Sequence, residues 1–185
     1  MKLWFALLAI TCCAACGKNQ DSPLVADPDL PAGTIEYKYQ DSLIVFRDGD
    51  PLPANAAAVQ NVKVYKEQPQ PGVPVRYYFA ADKGDFTAFS FSLWTDSAAA
   101  KVYVYDSKST RQLLGTASFA IPAFVSSFDA DKDYFKVTIT SYHDGKISGL
   151  FEGRMSNILQ FGNEEPPAVT TITEGKFRDI TVVYN

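Results

Sequence analysis

The residues with the most distinctive chemistry are three cysteines near the start of the chain, Cys12, Cys13 and Cys16. No other cysteine occurs in the 185 residues. Thiols can bind a metal, exchange disulfides or accept a covalent modification. Cys13 and Cys16 form a C-x-x-C pair, but a metal or redox site would also need a second ligand pair or a neighbouring strand–helix unit. Because the sequence shows neither, covalent modification is the stronger hypothesis.

The residues around the cysteines resemble a bacterial lipoprotein signal. A positively charged start precedes the apolar run 3–15, which is shorter than the roughly 20 residues of a spanning helix and matches a secretory signal. Ala14 and Ala15 are small, as cleavage requires, and a polar run follows Cys16. The resemblance therefore implies removal of residues 1–15 as a signal peptide and acylation of Cys16.

Cleavage before Cys12 or Cys13 is the alternative, but Thr11 or Cys12 would then precede the cut, where alanine serves better. Acylation of Cys16 would leave no thiol for a disulfide in the mature chain. The next residue is Gly17, whereas an Asp there would resemble an inner-membrane retention signal. The predicted destination is therefore the outer membrane, with the periplasmic and surface leaflets both open.

The charge of the chain excludes one class of partner. Lys and Arg number 17 against 21 Asp and Glu, which gives a formal net charge of −4. Loss of Lys2 with the signal leaves 16 basic residues and a charge of −5. No basic block is present to bind phosphates, so nucleic acid is not a predicted partner. No glycine-rich phosphate loop occurs either, and no cofactor is predicted.

His143 is the only histidine, and Asp144 follows it directly. The two could suggest a catalytic pair. Adjacent residues of a tight loop seldom present both side chains to one substrate, and no motif places a nucleophile beside them. An exposed turn is the better interpretation, and no catalytic residue is predicted.

A weak calcium candidate is formed by Asp129, Asp131 and Asp133, which have the alternate spacing of a calcium loop. The full loop has Gly at its sixth position and Glu at its twelfth. This chain has Tyr134 and Thr140 there. A solvated acidic turn is the competing interpretation, and no metal site is otherwise predicted.

Trp94 is a weak ligand-binding candidate. In the segment "FTAFSFSLW", Phe89, Phe91 and Leu93 share one face of a predicted strand, while Phe86 and Trp94 lie on the other. The first face is expected to be core. Trp94 is the only tryptophan after the predicted cleavage site, and an outward indole ring could stack on a sugar.

The elements that position these residues are predicted to be strands. Residues 16–33 contain three prolines and no apolar period, so they are expected to form a flexible tether. From Thr34 to the C-terminus, short apolar or alternating runs are separated by Asp, Gly, Pro and Ser. This pattern predicts a single all-β domain over residues 34–185, an antiparallel β-sandwich or flattened closed barrel of about ten strands. Only residues 53–60 suggest a short helix.

One hairpin can be predicted in register. The runs "YFKVTITSY" and "KISGLFEGRM" flank His143, Asp144 and Gly145. A three-residue loop with Gly145 in the left-handed conformation would put the apolar residues of both strands on one buried face, whereas a two-residue loop would mix the faces. The buried set is then expected to be Phe135, Val137, Ile139, Ile147, Phe151 and Met155.

The same segment resembles the C-terminal half of small uncharacterised lipoproteins of the Bacteroidota. These proteins share the pattern I-T-x-Y, a turn, I-S-G-x-F-x-G and then I-T-x-G-x-F. The resemblance implies lipoprotein status and implies no chemistry. The matching positions are Ile139, Thr140, Tyr142, Ile147, Ser148, Gly149, Phe151, Gly153, Ile172, Thr173, Gly175 and Phe177.

These observations predict a lipid-anchored envelope β-domain without a catalytic motif, which acts as a ligand-binding protein or as an accessory subunit of an outer-membrane complex. Its predicted partners are the membrane, through the anchor, and such a complex or a glycan. The alternative is an envelope hydrolase acting on glycan or lipid. A glycosidase would need two carboxylates facing each other across a cleft, and no motif selects them.

Overall fold

The computed structural model describes residues 29–52, 55–67, 74–85, 87–95, 104–106, 114–121, 124–127, 132–160 and 169–184. Cys12, Cys13, Cys16, Asp129 and Asp131 lie outside these residues. The described elements are all strands: β1 (Thr34–Tyr39), β2 (Ser42–Arg47), β3 (Pro51–Leu52), β4 (Asn55–Val59), β5 (Asn61–Lys66), β6 (Val75–Asp82), β7 (Ala88–Thr95), β8 (Val104–Asp106), β9 (Leu114–Ile121), β10 (Phe124–Ser127), β11 (Tyr134–His143), β12 (Lys146–Gln160) and β13 (Val169–Tyr184).

Eleven of these strands form one sheet, in the order β2-β1-β13-β5-β6-β7-β9-β10-β12-β11-β8. Strand β12 also pairs with β13. The strands from β13 through β5, β6, β7, β9 and β10 to β12 therefore close into a ring. The predicted all-β class, a sandwich or flattened barrel of about ten strands, is confirmed. The predicted short helix at residues 53–60 is wrong, because β4 lies there and pairs with β3.

One pairing departs from the predicted antiparallel arrangement. Strand β13 lies antiparallel to β1 up to Arg178, which is opposite Thr34. Beyond that point β13 continues past β1, and its last residues, from Val182 to Tyr184, pair with β5 in parallel. Because β13 is long, one of its edges pairs first with β1 of the β1–β2 hairpin and then with β5 of the ring.

The inside of the ring is an aromatic core. Alternation along each strand points every second residue inward. The rings of Phe79 and Phe91 stack with centroids 4.1 Å apart, and those of Phe89 and Phe151 stack at 4.8 Å. Such contacts add to the burial energy of each ring. The largest fully buried side chains are Tyr37, Tyr77, Phe46, Phe79, Phe89, Phe91, Phe119, Phe135, Phe177, Ile35 and Leu93.

The β11–β12 hairpin has the predicted faces but a different loop. All six residues of the predicted apolar face are buried, and Gly145 has a positive φ of 68°. The predicted three-residue loop is wrong, because His143 pairs with Lys146 and leaves a two-residue loop. The register then shifts between Ile139 and Ser141. This β-bulge restores the register that the three-residue loop would have given.

Glycine and phenylalanine form three cross-strand pairs on this part of the sheet, Gly149 with Phe177, Gly153 with Phe135, and Gly175 with Phe151. An added Cβ would come within 2.5 Å of the partner ring in each pair. The partner ring therefore needs glycine opposite it, and packing explains the spacing of these residues in "ISGLFEG" and "ITEGKF".

Tyr37 carries a polar atom into the core. Its side chain is fully buried, and its hydroxyl has no hydrogen-bond partner among the described residues. Tyr37→Phe is therefore expected to raise the free energy of unfolding by about 1 kcal/mol, because the desolvated hydroxyl is removed while the ring remains. Urea unfolding at pH 7 measures this, and a loss of stability would contradict it.

The same residue predicts a pH dependence. Burial raises the pKa of the Tyr37 phenol above its ordinary value of 10.0. The unfolded chain ionises near that value while the folded chain does not, so stability is present below pH 10 and is lost as the pH rises further. Part of this alkaline loss is expected to disappear in Tyr37→Phe.

Candidate ligand-binding groove

The acidic calcium candidate is visible only at Asp133. Its carboxylate is buried and accepts hydrogen bonds from the Ser156 backbone N–H and hydroxyl, both at 2.9 Å. Both carboxylate oxygens are thus hydrogen-bonded to Ser156 of β12. Within the described part of the chain, no group of three His, Cys, Asp or Glu residues could hold a metal.

His143 is exposed at the end of β11, as predicted. Its Nε2 lies 3.8 Å from Asp179 Oδ1, and Ser148 donates its hydroxyl to the same oxygen at 3.2 Å. The histidine therefore lies beside a surface carboxylate of β13 and lines neither of the grooves described below.

His143→Ala is expected to change the free energy of unfolding by no more than about 0.5 kcal/mol, as for ordinary surface substitutions. The contact with Asp179 at 3.8 Å adds little, because the imidazole is exposed to solvent. Thermal or urea unfolding of the variant beside wild type is the measurement. A loss several times larger would show that the imidazole holds the turn.

Trp94 faces outward from β7, as predicted, and is half-buried. Arg76 of β6 lies directly opposite it in the sheet. The Arg76 guanidinium carbon is 5.7 Å from the centroid of the Trp94 ring and 5.4 Å from that of Tyr78. Both are cation–π distances. Arginine thus occupies space over the indole that a stacked ligand would need.

A groove of about 400 Å³ opens beside Arg76 on the outer face of β5, β6, β7 and β9. It is named here the tyrosine groove. Two tyrosines form one wall, an ion pair closes one end, and small hydroxyl residues form the floor. Its lining residues are Tyr65, Glu67, Arg76, Tyr78, Ser90, Thr116 and Ser118.

The wall of the groove is built by cross-strand pairing. Tyr65 of β5 lies opposite Tyr78 of β6, and their ring centroids are 6.4 Å apart with an interplanar angle of 31°. Asn61 donates its side-chain N–H to the Tyr65 hydroxyl at 3.0 Å. These contacts fix an aromatic surface on the rigid sheet before any ligand arrives.

The floor of the groove consists of paired hydroxyls. Ser90 and Ser118 lie opposite each other on β7 and β9, with 2.8 Å between their hydroxyl oxygens. The third hydroxyl, that of Thr116, lies 3.3 Å from the hydroxyl of the buried Ser92, whose oxygen also accepts the Thr116 backbone N–H at 2.9 Å. A hydrogen bond between two hydroxyls uses one of their two hydrogens. The Ser90–Ser118 pair therefore keeps one donor and several acceptor lone pairs for the groove.

The charged end of the groove is an ion pair with a spare donor. Arg76 Nη1 donates to Glu67 Oε1 at 3.1 Å. Arg76 Nε is buried and has no hydrogen-bond partner among the described residues. An unsatisfied buried donor is costly. The pair is neutral as a whole, yet it offers one N–H that is already desolvated.

A second groove, of about 310 Å³, lies on the outer face of β11, β12 and β13. Leu150 lines it, beside the paired residues Gly175 and Phe151. Its charged rim is internally paired, with Lys136 near Glu152 at 4.0 Å and Lys38 near Glu174 at 2.8 Å. The carboxylates of both grooves are thus ion-paired, but among the described residues only the tyrosine groove has a lining side chain with a buried unpaired donor, that of Arg76. The tyrosine groove is therefore the better candidate site.

Trp94, which contacts Arg76 beside the tyrosine groove, was predicted from the sequence, but the lining residues of the groove were not. The usable signal was the alternation in "VRYYF" and "NVKVY", which turns Arg76, Tyr78 and Tyr65 to the side opposite the valines. A bulky aromatic residue on a wet face is a candidate contact residue. Which of these residues meet was not readable, because strand partners are not encoded locally.

No family model matches the chain, and comparison with curated proteins and with solved structures finds no significant match. Within the described residues, no helix is long and apolar enough to cross a membrane.

Proposed function

We propose that this protein is a lipid-anchored envelope β-domain that binds its ligand without catalysis through the tyrosine groove, as a free binding protein or as an accessory subunit of an outer-membrane complex. The observation that carries this proposal is Arg76, whose Nε is buried, desolvated and unpaired among the described residues at one end of an aromatic groove. Because Nε has almost no accessible surface, a ligand acceptor would satisfy it once the guanidinium turns toward the groove.

The chemistry of the groove supports binding over hydrolysis. Glycoside hydrolysis needs two carboxylic groups facing each other across the substrate. Among the described residues, the tyrosine groove is lined by a single carboxylate, that of Glu67, which forms an ion pair with Arg76 at 3.1 Å. The second carboxylic group that hydrolysis needs is therefore missing from the described lining of this groove. The hydrolase alternative therefore has no support from either groove.

Acylation at Cys16 is expected if the anchor is as proposed. The small residues Ala14 and Ala15 precede it and a polar tether follows it. Intact mass of the mature protein, purified from its native membrane, should correspond to a chain starting at Cys16 with acyl chains attached. A mature chain starting at Cys12 or Cys13, or one that retains the apolar run 3–15, would contradict this prediction.

The binding role is tested by purification from the native envelope in mild detergent, followed by mass spectrometry. Arg76→Ala is compared with Arg154→Ala, a matched arginine that is exposed on β12. The proposal expects a ligand or partner that is recovered with wild type and Arg154→Ala and lost with Arg76→Ala. Equal recovery with all three proteins would contradict binding through this groove.

A further inference from the structure

We infer that the tyrosine groove recognises a neutral glycan. This inference rests on the proposed binding function and adds the chemical class of the ligand. Three properties of the groove lead to it: a fixed aromatic wall, a floor of hydroxyls that both donate and accept, and a charged end without net charge.

The aromatic wall fits the apolar side of a sugar ring. Tyr65 and Tyr78 present amphipathic rings, each with an apolar body and a polar hydroxyl. A pyranose likewise has C–H faces and a polar edge of hydroxyls. Because the Tyr65 hydroxyl is already held by Asn61, the ring surface is preorganised, which lowers the entropic cost of binding.

The floor selects a ligand that can both donate and accept hydrogen bonds. The Ser90–Ser118 pair retains one O–H donor and free lone pairs. The exposed Thr116 hydroxyl also lines the groove. Sugar hydroxyls meet both requirements with one group. An aliphatic ligand would bury the remaining O–H donor of the serine pair without a partner, which is costly.

The electrostatics disfavour an anionic ligand. The one cation of the groove, Arg76, is already paired with Glu67, so a phosphate or carboxylate would have to compete with that pair. The whole chain also has a formal charge of −4. The remaining Arg76 Nε donor suits a neutral oxygen, such as a sugar hydroxyl or ring oxygen.

The size and shape of the groove also fit this ligand class. Its volume of about 400 Å³ lies within the range of small-molecule sites, roughly 300–1,000 Å³. The groove lies on an outer sheet face, so a longer chain could extend past the end opposite the Arg76–Glu67 pair while a few sugar units make the contacts.

The test is a titration of the full mature lipoprotein with neutral and charged oligosaccharides. The probes are maltohexaose, cellohexaose, laminarihexaose and mannohexaose, with oligogalacturonate as the anionic comparison. The detergent must have a polyoxyethylene head group, because sugar detergents would compete. Trp94, the only tryptophan of the mature chain, reports binding by fluorescence through its contact with Arg76, and calorimetry gives an independent affinity.

We expect saturable binding of at least one neutral hexasaccharide and none of oligogalacturonate. Tyr78→Ala should weaken the affinity about tenfold or more, since an aromatic contact and its burial contribute roughly 1.4 kcal/mol. Ser118→Ala, a small change that keeps the fold, should weaken it severalfold. Tyr184→Ala, at an exposed tyrosine on β13, should bind like wild type.

The possible failures are distinguishable. Preference for oligogalacturonate, or binding unchanged in both Tyr78→Ala and Ser118→Ala, would overturn the inference. No neutral hexasaccharide bound at millimolar concentration would also overturn it. If Arg76→Ala still lost an envelope partner in that case, the proposed binding function would stand with a different ligand. If no neutral hexasaccharide bound and Arg76→Ala also retained the envelope partner, both the glycan inference and the proposed binding function would be contradicted.

Discussion

Phe151→Ala is expected to lower the free energy of unfolding by about 3–5 kcal/mol, the usual range for removing a buried phenylalanine ring. Phe151 is 3% exposed. Its phenyl group stacks on that of Phe89 in β7, with centroids 4.8 Å apart. It also contacts the side chain of Tyr37 in β1, with centroids 5.9 Å apart. The deletion would therefore leave a cavity between strands that cannot collapse independently.

Urea unfolding followed by Trp94 fluorescence measures this loss. Leu43→Ala is the control, because Leu43 is an apolar residue that is 57% exposed on β2. It should change stability by no more than about 0.5 kcal/mol. If Phe151→Ala cost as little as Leu43→Ala, Phe151 could not occupy the centre of the core.

Gly149→Asn is expected to be the second severe change. A Cβ at this position would lie 2.3 Å from the Thr138 carbonyl oxygen and 2.5 Å from Phe177 Cζ. A backbone oxygen cannot move aside without displacing its strand. Overpacking and the burial of an unpaired amide together should cost roughly 3–5 kcal/mol.

Gly145→Asn is the matched control, with the same substitution at the tip of the same hairpin. Gly145 has a positive φ of 68°, and a Cβ there would meet nothing within 4 Å. Asparagine tolerates this backbone conformation better than most residues. The control should cost less than about 1 kcal/mol. Equal losses at the two positions would contradict the glycine–phenylalanine pairing.

The hairpin shows how far the sequence alone leads. Alternation of apolar and polar residues correctly predicted the buried face that includes Phe135 and Phe151, because burial dominates the energy of a strand. The loop length was wrong because Asp144 and Gly145 both accept positive φ, as a tight two-residue turn requires. A bulge after Ile139 reconciled the turn with the buried face. The loop is one residue shorter than predicted and the bulge was not predicted, but the two differences offset each other, so the predicted pairing from Ile139 to Phe135 is correct.

The closure of the ring was not predictable from local patterns. Nothing within "TVVY" indicates that the end of β13 pairs in parallel with β5, over a hundred residues earlier. The short β4 was equally hidden. Its alanines favour a helix, and the strand exists because residues from Asn55 to Val59 pair with β3. Tertiary pairing overrides weak propensity in both places.

For the candidate site, the sequence predicted which way a side chain faces but not which side chains lie together. Alternation correctly turned Trp94 outward. Its cross-strand partner Arg76, and the meeting of Tyr65 with Tyr78, depend on the order β5-β6-β7-β9, which only the folded sheet provides. The groove therefore became recognisable from neighbours in space and not from any motif.

The most direct test of binding through the tyrosine groove is photo-cross-linking in intact cells. A benzophenone amino acid replaces Thr116, which is exposed and lines the groove, or Thr171, an exposed threonine on β13 away from it. Binding through the groove predicts a discrete adduct from position 116 and none from position 171. No adduct at 116, or equal adducts at both positions, would contradict it.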